Sequence, residues 1–220
     1  MTGLLAEATE SGARVDESAP AKMELYSGTR GWNKQKFAYD QIQAMVRQVF
    51  LYKGPRPAQQ VAFSAVGSQI DIDGICRFVG KVLSEEGQGE VAVVQVEPRV
   101  QQFHDSLRAI AVPVAPNLWL LSATHCPGDV AGIGELRPYL DAVRADFQYS
   151  ILVGSRANPN AIVEAAKYCD GLVLVLSALH TRRATALYTK HALEQAGVRL
   201  LGTVLVDREF PIPQYLYRRL

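Results

Sequence analysis

Short, wholly apolar runs alternate along this chain with segments of helical periodicity. The runs predict six strands, at residues 61–66, 91–96, 118–122, 149–153, 171–176 and 199–206. Strands that are apolar along their whole length are buried on both faces, which is typical of parallel sheets covered by helices. The alternation therefore predicts an α/β fold with a doubly wound, mostly parallel sheet and helices on both faces.

Helical stripes of apolar residues lie between the predicted strands. The helices are expected at residues 35–51, 74–86, 100–107, 134–146, 158–168 and 181–196. In the helix at 74–86, apolar residues recur at the i, i+3, i+4 spacing of a buried helical face. Because ligands of doubly wound sheets bind at the carboxyl ends of the strands, the loops that follow the strands are the expected place for a functional site.

Composition divides the chain and excludes several classes of function. Residues 1–30 contain few large apolar side chains, which predicts a flexible leader before a single domain at 31–220. The formal net charge of +1 gives no electrostatic case for binding nucleic acid. No apolar run approaches the roughly 20 residues of a bilayer span. The cysteines lack CxxC spacing, which indicates thiols in a reducing cytoplasm.

Residues 60–87 have the layout of a phosphate-binding loop: a buried strand, a loop that carries Gly67 and Ser68, and a helix. Such a loop holds phosphate with backbone N–H groups at the helix N-terminus, a lysine, and a hydroxyl that binds Mg²⁺. Counted from Gly67, the pattern GxxxxGK[ST] ends on Ile72, Asp73 and Gly74, so the motif fails. The segment has the shape of the loop without its phosphate-binding side chains.

Three stretches of the chain resemble one protein family. They are FSAV at 63–66 with the helix after it, VAVVQVEPR at 91–99, and CDGLVLVLSALHTRR at 169–183 followed by ALEQAGVRLLGTVL at 192–205. The family is that of the cytoplasmic bacterial tyrosine kinases of capsule and exopolysaccharide biosynthesis, relatives of the ParA/MinD group of P-loop ATPases. The resemblance covers about residues 35–220 and implies the P-loop NTPase fold.

The family's nucleotide loop, GEGKTT, is altered at its functional positions. The matching residues are Ser68, Gln69, Ile70, Asp71, Ile72 and Asp73. Asp71 replaces the lysine, and Ile72 replaces the hydroxyl that holds Mg²⁺. A lysine about 4 Å from a phosphate oxygen gains on the order of 4 kcal/mol at a dielectric of about 20, and an aspartate reverses the sign. Asp73 is the predicted N-cap of the helix, and both carboxylates are predicted to supply the negative charge that a phosphate would bring.

Further nucleotide positions of the family fall at strand ends and are also altered. Gln95 and Glu97 replace two signature aspartates, although Arg99 is retained. Val153 stands where the family has the acid that orders Mg²⁺ and water, and Val206 replaces the adenine-binding asparagine. Loss of the metal ligands removes the charge neutralisation on which phosphoryl transfer depends. The resemblance thus implies a degenerate member of the family without a nucleotide or metal cofactor.

Other side chains allow two interpretations each. Arg99, Arg156 and Arg208 follow strands that end on one edge of the sheet, so they form either an anion pocket or solvated loop positions. Tyr215 and Tyr217 lie in the tail, which in the family is tyrosine-rich and is phosphorylated between subunits. They are either phosphoacceptors or residues that dock on the domain. Thr181 is the predicted N-cap of the helix at 181–196.

The sequence leaves three functions open. The favoured one is a non-catalytic, pseudokinase-like regulator that binds a membrane-anchored polysaccharide export or polymerisation protein, or a kinase paralogue. It would be cytoplasmic and reach the inner membrane through that partner. The second is a divergent tyrosine autokinase or ATPase that uses ATP and Mg²⁺, and the third is a binding module for another anion. A homo-oligomer is a further alternative, because the helix around 40–47 lies where the family packs a helix against a neighbouring subunit.

Overall fold

A seven-stranded sheet organises the computed structural model, which describes residues 34–52, 57–87, 89–96, 106–121, 136–154 and 159–208. The strands are β1 (Gln60–Ala65), β2 (Val91–Val96), β3 (Val112–Ala115), β4 (Leu118–Leu121), β5 (Tyr149–Gly154), β6 (Gly171–Ser177) and β7 (Leu200–Val206). Their order is β3-β4-β2-β5-β1-β6-β7, and all neighbours are parallel except β3 and β4. The predicted doubly wound, mostly parallel sheet is confirmed.

Helices cover both faces of this sheet. They are α1 (Lys34–Val49), α2 (Ile72–Glu86), α3 (Leu136–Asp146), α4 (Pro159–Ala166) and α5 (Arg183–Gln195). The core on the α1/α2 face contains Val79, and the core on the α3/α4/α5 face contains Ile162. Along β1, Val61 and Phe63 enter the first core while Ala62 enters the second. This two-sided burial explains why the strands are apolar along their whole length.

Strand β3 was missed by the sequence analysis. It contains Pro113, and a proline has no N–H group to donate to a neighbouring strand. Residues 112–115 were therefore not predicted to form a strand. The structure accommodates Pro113 because β3 is an edge strand and pairs with β4 alone. Asn117 adopts φ 58° in the tight turn between the two strands, a conformation that asparagine tolerates well.

Two other predictions concern residues that lie mostly or wholly outside the described segments. The helix predicted at 100–107 lies largely outside them, and the part that is described leads into a single 3-10 turn at Leu107–Ala109. The flexible leader at 1–30 lies wholly outside them and stays a prediction. Within the described segments, none of the helices has the length and apolarity to cross a membrane.

Polar side chains attach α1 to the last turn of α2. The guanidinium of Arg47 donates two hydrogen bonds to the Glu86 carboxylate, from Nε at 2.8 Å and Nη2 at 2.9 Å. Gln43 also donates to Glu86, and the Tyr39 hydroxyl donates to Glu85 at 3.0 Å. The Arg47 hydrogen bond holds the pKa of Glu86 below its usual value, although burial opposes it. Arg47, which lies in the predicted interface helix, therefore has a partner within its own chain.

We expect the contact between Arg47 and Glu86 to make the free energy of unfolding depend on pH. Because the pKa of Glu86 is lower in the folded chain than in the unfolded chain, its contribution is complete at neutral pH and is lost as pH falls through the folded value. The Glu86→Gln variant should unfold at a lower urea concentration than the unmodified chain at pH 7. The difference should shrink below about pH 4, near the usual range of a glutamate. Glu85→Gln, which keeps an acceptor for Tyr39, is the matched control; equal effects of both variants would contradict the assignment.

Candidate functional site

The loop between β1 and α2 lies at the carboxyl edge of the sheet. Strand β1 is central, between β5 and β6, and runs parallel to both. At the start of the loop, the Val66 N–H donates to the Val175 carbonyl at 2.9 Å. Gly67 then adopts φ 106°, which favours glycine, and Ser68 and Gln69 are exposed. This is the place where doubly wound sheets bind their ligands.

The carboxylate of Asp71 lies at the N-terminus of α2. Its Oδ1 accepts a hydrogen bond from the Gly74 N–H at 3.3 Å, and its carbonyl accepts the first helical bond from the Ile75 N–H at 3.1 Å. A Cβ at position 74 would collide with the Asp71 carboxylate, so a glycine at 74 leaves room for the cap. Helix N-termini attract anions because their first N–H groups are unpaired and carry partial positive charge. Here a carboxylate of the chain itself bonds to one of these groups.

The prediction that Asp73 caps α2 is wrong. The helix starts at Ile72, and Asp71 is its N-cap. The error arose because one aspartate lies on each side of Ile72. The side chain of either one can accept a hydrogen bond from a backbone N–H group two or three residues further along the chain. Asp73 instead lies in the first turn, where a negative charge still favours the helix. Together with burial, which is the main cause, Asp73 and Asp71 raise the pKa of the Cys76 thiol well above its usual value.

Apolar side chains occupy the positions that the sequence resemblance matches to Mg²⁺-binding and adenine-binding groups. Ile72, at the hydroxyl position, is 7% exposed and belongs to the core between α2 and the sheet. Ile70, one residue before the cap, lies in the same core. Val153, at the position of the late acid, is 2% exposed and packs there as well. Val206 is half-buried against this core.

Strand β5, which lies beside β1, and strand β2, which lies beside β5, bring further predicted positions to the same edge. Val153 of β5 is aligned with Phe63 of β1 on one side and with Gln95 of β2 on the other. Gln95 is half-buried. The alignment places Gln95 and Val153, two of the predicted site positions, side by side on neighbouring strands. Within the described segments, no group of three or more His, Cys, Asp or Glu side chains could hold a metal ion.

A part-buried polar cluster that the sequence analysis missed joins the loops after β1, β6 and β7. The Ser177 hydroxyl donates to Asp207 Oδ2 at 2.7 Å, and Ser177 is 1% exposed. The Thr181 hydroxyl accepts from the Ser177 N–H at 2.9 Å and donates to the Val66 carbonyl at 3.2 Å. The sequence could have indicated this cluster, because Ser177 ends β6 and Asp207 directly follows β7, the neighbouring strand. The cluster attaches the start of the β1–α2 loop to the neighbouring strand ends.

The prediction that Thr181 caps α5 is therefore also wrong. The helix begins at Arg183, and its N-cap residue, Arg182, makes no side-chain capping bond. The Thr181 hydroxyl is used by Ser177 and Val66 instead. A threonine before a helix is an ambiguous signal, because its hydroxyl bonds to whichever backbone group tertiary packing brings close.

Several predicted residues lie outside the described segments. They are Glu97, Arg99, Arg156, Tyr215 and Tyr217. Arg208 is described and exposed just after β7. The proposed pocket of three arginines and the phosphoacceptor role of the tail tyrosines thus stay predictions.

The fold is similar to those of solved bacterial kinase domains and of a MinD cell division protein. The VpsO kinase domain is 14% identical, with 81% of this chain and 100% of that chain covered and a TM-score of 0.62. The kinase domain of the Escherichia coli tyrosine kinase ETK is 13% identical, with coverages of 87% and 89% and a TM-score of 0.59. The MinD cell division protein of Aquifex aeolicus is 14% identical, with coverages of 74% and 73% and a TM-score of 0.52.

These neighbours are of the two classes that the sequence resemblance indicated, tyrosine kinase domains and MinD-like ATPases. At such identities the similarity shows the fold, and it confirms the predicted P-loop NTPase architecture. No family model matches the sequence, and no curated protein matches it.

We expect the Asp71 cap to stabilise α2 measurably. Asp71→Ala removes the acceptor of the Gly74 N–H and should lower the free energy of unfolding by about 1 kcal/mol. Asp71→Asn keeps a side-chain oxygen and should retain most of that stability. Urea denaturation measures both, with Ser68→Ala, an exposed change in the same loop, as the control. An Asp71→Ala variant as stable as the Ser68→Ala variant would show that the cap is dispensable.

Proposed function

We propose that this chain is a non-catalytic relative of the cytoplasmic tyrosine kinases of capsule and exopolysaccharide biosynthesis. It would act as a regulator that binds a membrane-anchored export or polymerisation protein, or an active kinase paralogue. It would work in the cytoplasm and reach the inner membrane through that partner. The similarity in fold to the VpsO and ETK kinase domains supports the choice of pathway.

The observation that carries the proposal is the Asp71 carboxylate at the N-terminus of α2. In a phosphate-binding loop, this end of the helix receives the phosphate groups of the nucleotide. A phosphate there would meet a like charge and would have to displace the cap from the Gly74 N–H. Two negative charges about 4 Å apart repel by on the order of 4 kcal/mol at an effective dielectric of about 20. The helix end is therefore used by the chain's own anion.

The buried apolar positions support the same proposal independently of charge. Phosphoryl transfer depends on Mg²⁺ and on groups that position the attacking atom. The side chains of Ile72 and Val153 carry no oxygen atoms, and both are packed into the core between α2 and the sheet. A single changed residue would be compatible with a variant enzyme. Changes at the lysine, hydroxyl and late-acid positions together favour a domain that keeps the fold for binding.

The proposal predicts that the unmodified chain has no kinase activity. We expect no phosphate on Tyr215, Tyr217 or any other tyrosine after incubation with Mg²⁺ and ATP, as measured by mass spectrometry of the digested protein. An active tyrosine kinase domain such as that of ETK is the positive control. Phosphotyrosine formed by the chain alone, at a rate proportional to its concentration, would contradict the proposal and favour the autokinase alternative.

Restoring the loop chemistry should restore part of the nucleotide affinity. The double variant Asp71→Lys/Ile72→Thr replaces the anionic cap with a cation and adds a hydroxyl. The variant Asp71→Ala/Ile72→Thr has the same loss of core packing without the lysine, so it is the matched control. We expect the lysine variant to bind Mg-ATP at least about tenfold more tightly than the control, a fraction of the electrostatic gain of an unscreened lysine. Equal affinities would show that Asp71 does not determine binding.

A further inference from the structure

The two edges of the sheet differ in how they are protected. The edge strand β3 has 4 residues and contains Pro113, so it offers little backbone for another strand. The opposite edge strand, β7, has 7 residues, LLGTVLV, with neither a proline nor a charge. Among the described residues, nothing pairs with its outer side. Long, apolar, unprotected edges pair readily with other strands, and natural proteins usually cover them.

The backbone of β7 shows which groups face this open edge. The Val206 carbonyl accepts a hydrogen bond from the Ala178 N–H at 2.9 Å, so the backbone groups of Val206 face β6. Because successive residues of a strand point their backbone groups in opposite directions, those of Thr203 and Leu205 face the open edge. Both residues are exposed, and the side chain of Leu205 is 49% exposed. The edge therefore carries donors, acceptors and apolar surface together.

Helix α5, which precedes β7 in the chain, has little contact with the core. Leu193 is its one buried residue, and the half-buried Ala186 and Thr189 share the inward face with it. Leu187 is 45% exposed and Tyr188 is 76% exposed. A helix of 13 residues with a single buried side chain leaves most of its surface available to a partner.

One flank of α5 carries a cation near its start and an anion near its end. Four exposed residues at helical spacing form it: Arg183, Leu187, Lys190 and Glu194. Because connections between parallel strands are right-handed, this flank is turned toward the open side of β7. The Glu194 carboxylate contacts Lys190 at 3.5 Å and His191 at 3.3 Å, and these exposed contacts within one turn leave it further acceptor sites. The flank is thus complementary to an antiparallel copy of itself.

We propose that β7 and α5 form a two-fold interface between two copies of this chain. The two β7 strands pair antiparallel, so that Thr203 of each copy donates its N–H to the Thr203 carbonyl of the other and the two sheets become continuous. Beside them, Arg183 of each copy meets Glu194 of the second copy, and Leu187 packs on the aliphatic stem of Lys190. The inference goes beyond the proposed function and does not depend on it.

The dimensions of the two elements agree with this arrangement. The Val198 N–H donates to the Leu193 carbonyl at 3.0 Å, so the end of α5 and the start of β7 lie at the same level. At about 1.5 Å per helical residue and about 3.3 Å per strand residue, the midpoint of α5 and Thr203 both lie about 10 Å from that level. One two-fold axis can therefore pass both.

The spacing of the helices also fits. Leu193 shares a core with Leu172 of β6 and Leu200 of β7, which places α5 over this pair of strands. Because neighbouring strands are about 4.8 Å apart, α5 would lie about 10 Å from its copy across the axis. Helices pack at about this distance, so the second copy would cover Leu187 and Leu205 without separating the strands.

Cysteine cross-linking tests the strand pairing. Thr203→Cys puts two thiols at the two-fold axis, where the Cα atoms of opposed residues are about 5.5 Å apart, within the range of a disulfide. Leu205→Cys is the matched control, since it changes another exposed residue of β7 whose two copies would lie about 13 Å apart. We expect mild oxidation to convert most of the Thr203→Cys chain to a covalent dimer. The Leu205→Cys chain should stay at the background that the native cysteines give in the unmodified chain.

Charge reversal tests the contact between the helices. We expect the unmodified chain to sediment as a dimer at micromolar concentration. Arg183→Glu and Glu194→Arg each bring like charges together twice across the axis, so each should raise the Kd of the dimer by about tenfold or more. The double variant Arg183→Glu/Glu194→Arg restores opposite charges and should restore the dimer. Circular dichroism of each variant checks that the fold is kept.

Three results would overturn the proposal. Sedimentation of the unmodified chain as a monomer up to about 100 µM would show that the edge does not pair with a second copy at relevant affinity. Equal cross-linking of Thr203→Cys and Leu205→Cys would show that the β7 strands meet only by random collision. A dimer that neither single charge reversal weakens would assign the contact to another surface, such as the helix around 40–47.

Discussion

The contact between the Asp71 carboxylate and the N-terminus of α2 is the interaction on which the account of the site depends. It has two consequences that point the same way. Locally, it satisfies the Gly74 N–H, which would otherwise lack a partner within the helix. Electrostatically, it puts a negative charge at the one end of the helix where a phosphate would gain most from the helix dipole. Under the proposed function, one side chain therefore both stabilises the helix and repels a nucleotide.

Further contacts within the chain hold the loop between β1 and α2 in place. The side chain of Ile72 and that of Val153 on β5 both pack into the core between α2 and the sheet. The part-buried hydrogen bond between Ser177 and Asp207 and the two hydrogen bonds of the Thr181 hydroxyl hold the neighbouring loops together. The carboxyl edge is thus held by contacts within the chain. The fold alone does not determine function.

The sequence predicted the fold better than the site, for physical reasons. Strands buried on both faces leave a strong apolar signal, and the stripe of α2 was equally clear. Strand β3 was missed because Pro113 is compatible only with an edge, and an edge position cannot be inferred from local sequence. The caps were assigned wrongly because side chains such as Asp73 and Thr181 have several backbone groups within reach. Tertiary packing decides among those groups, as the Val66 carbonyl does for Thr181.

The most direct test of the central claim is isothermal titration calorimetry of the unmodified chain with Mg-ATP. Since we propose that the Asp71 carboxylate repels phosphate and that buried apolar side chains stand in place of metal-binding groups, we predict no measurable heat of binding at nucleotide concentrations up to about 1 mM, where the binding free energy would be only about −4 kcal/mol. Saturable binding with a Kd in the micromolar range would contradict the account, because the helix end would then accept a phosphate despite its own anion.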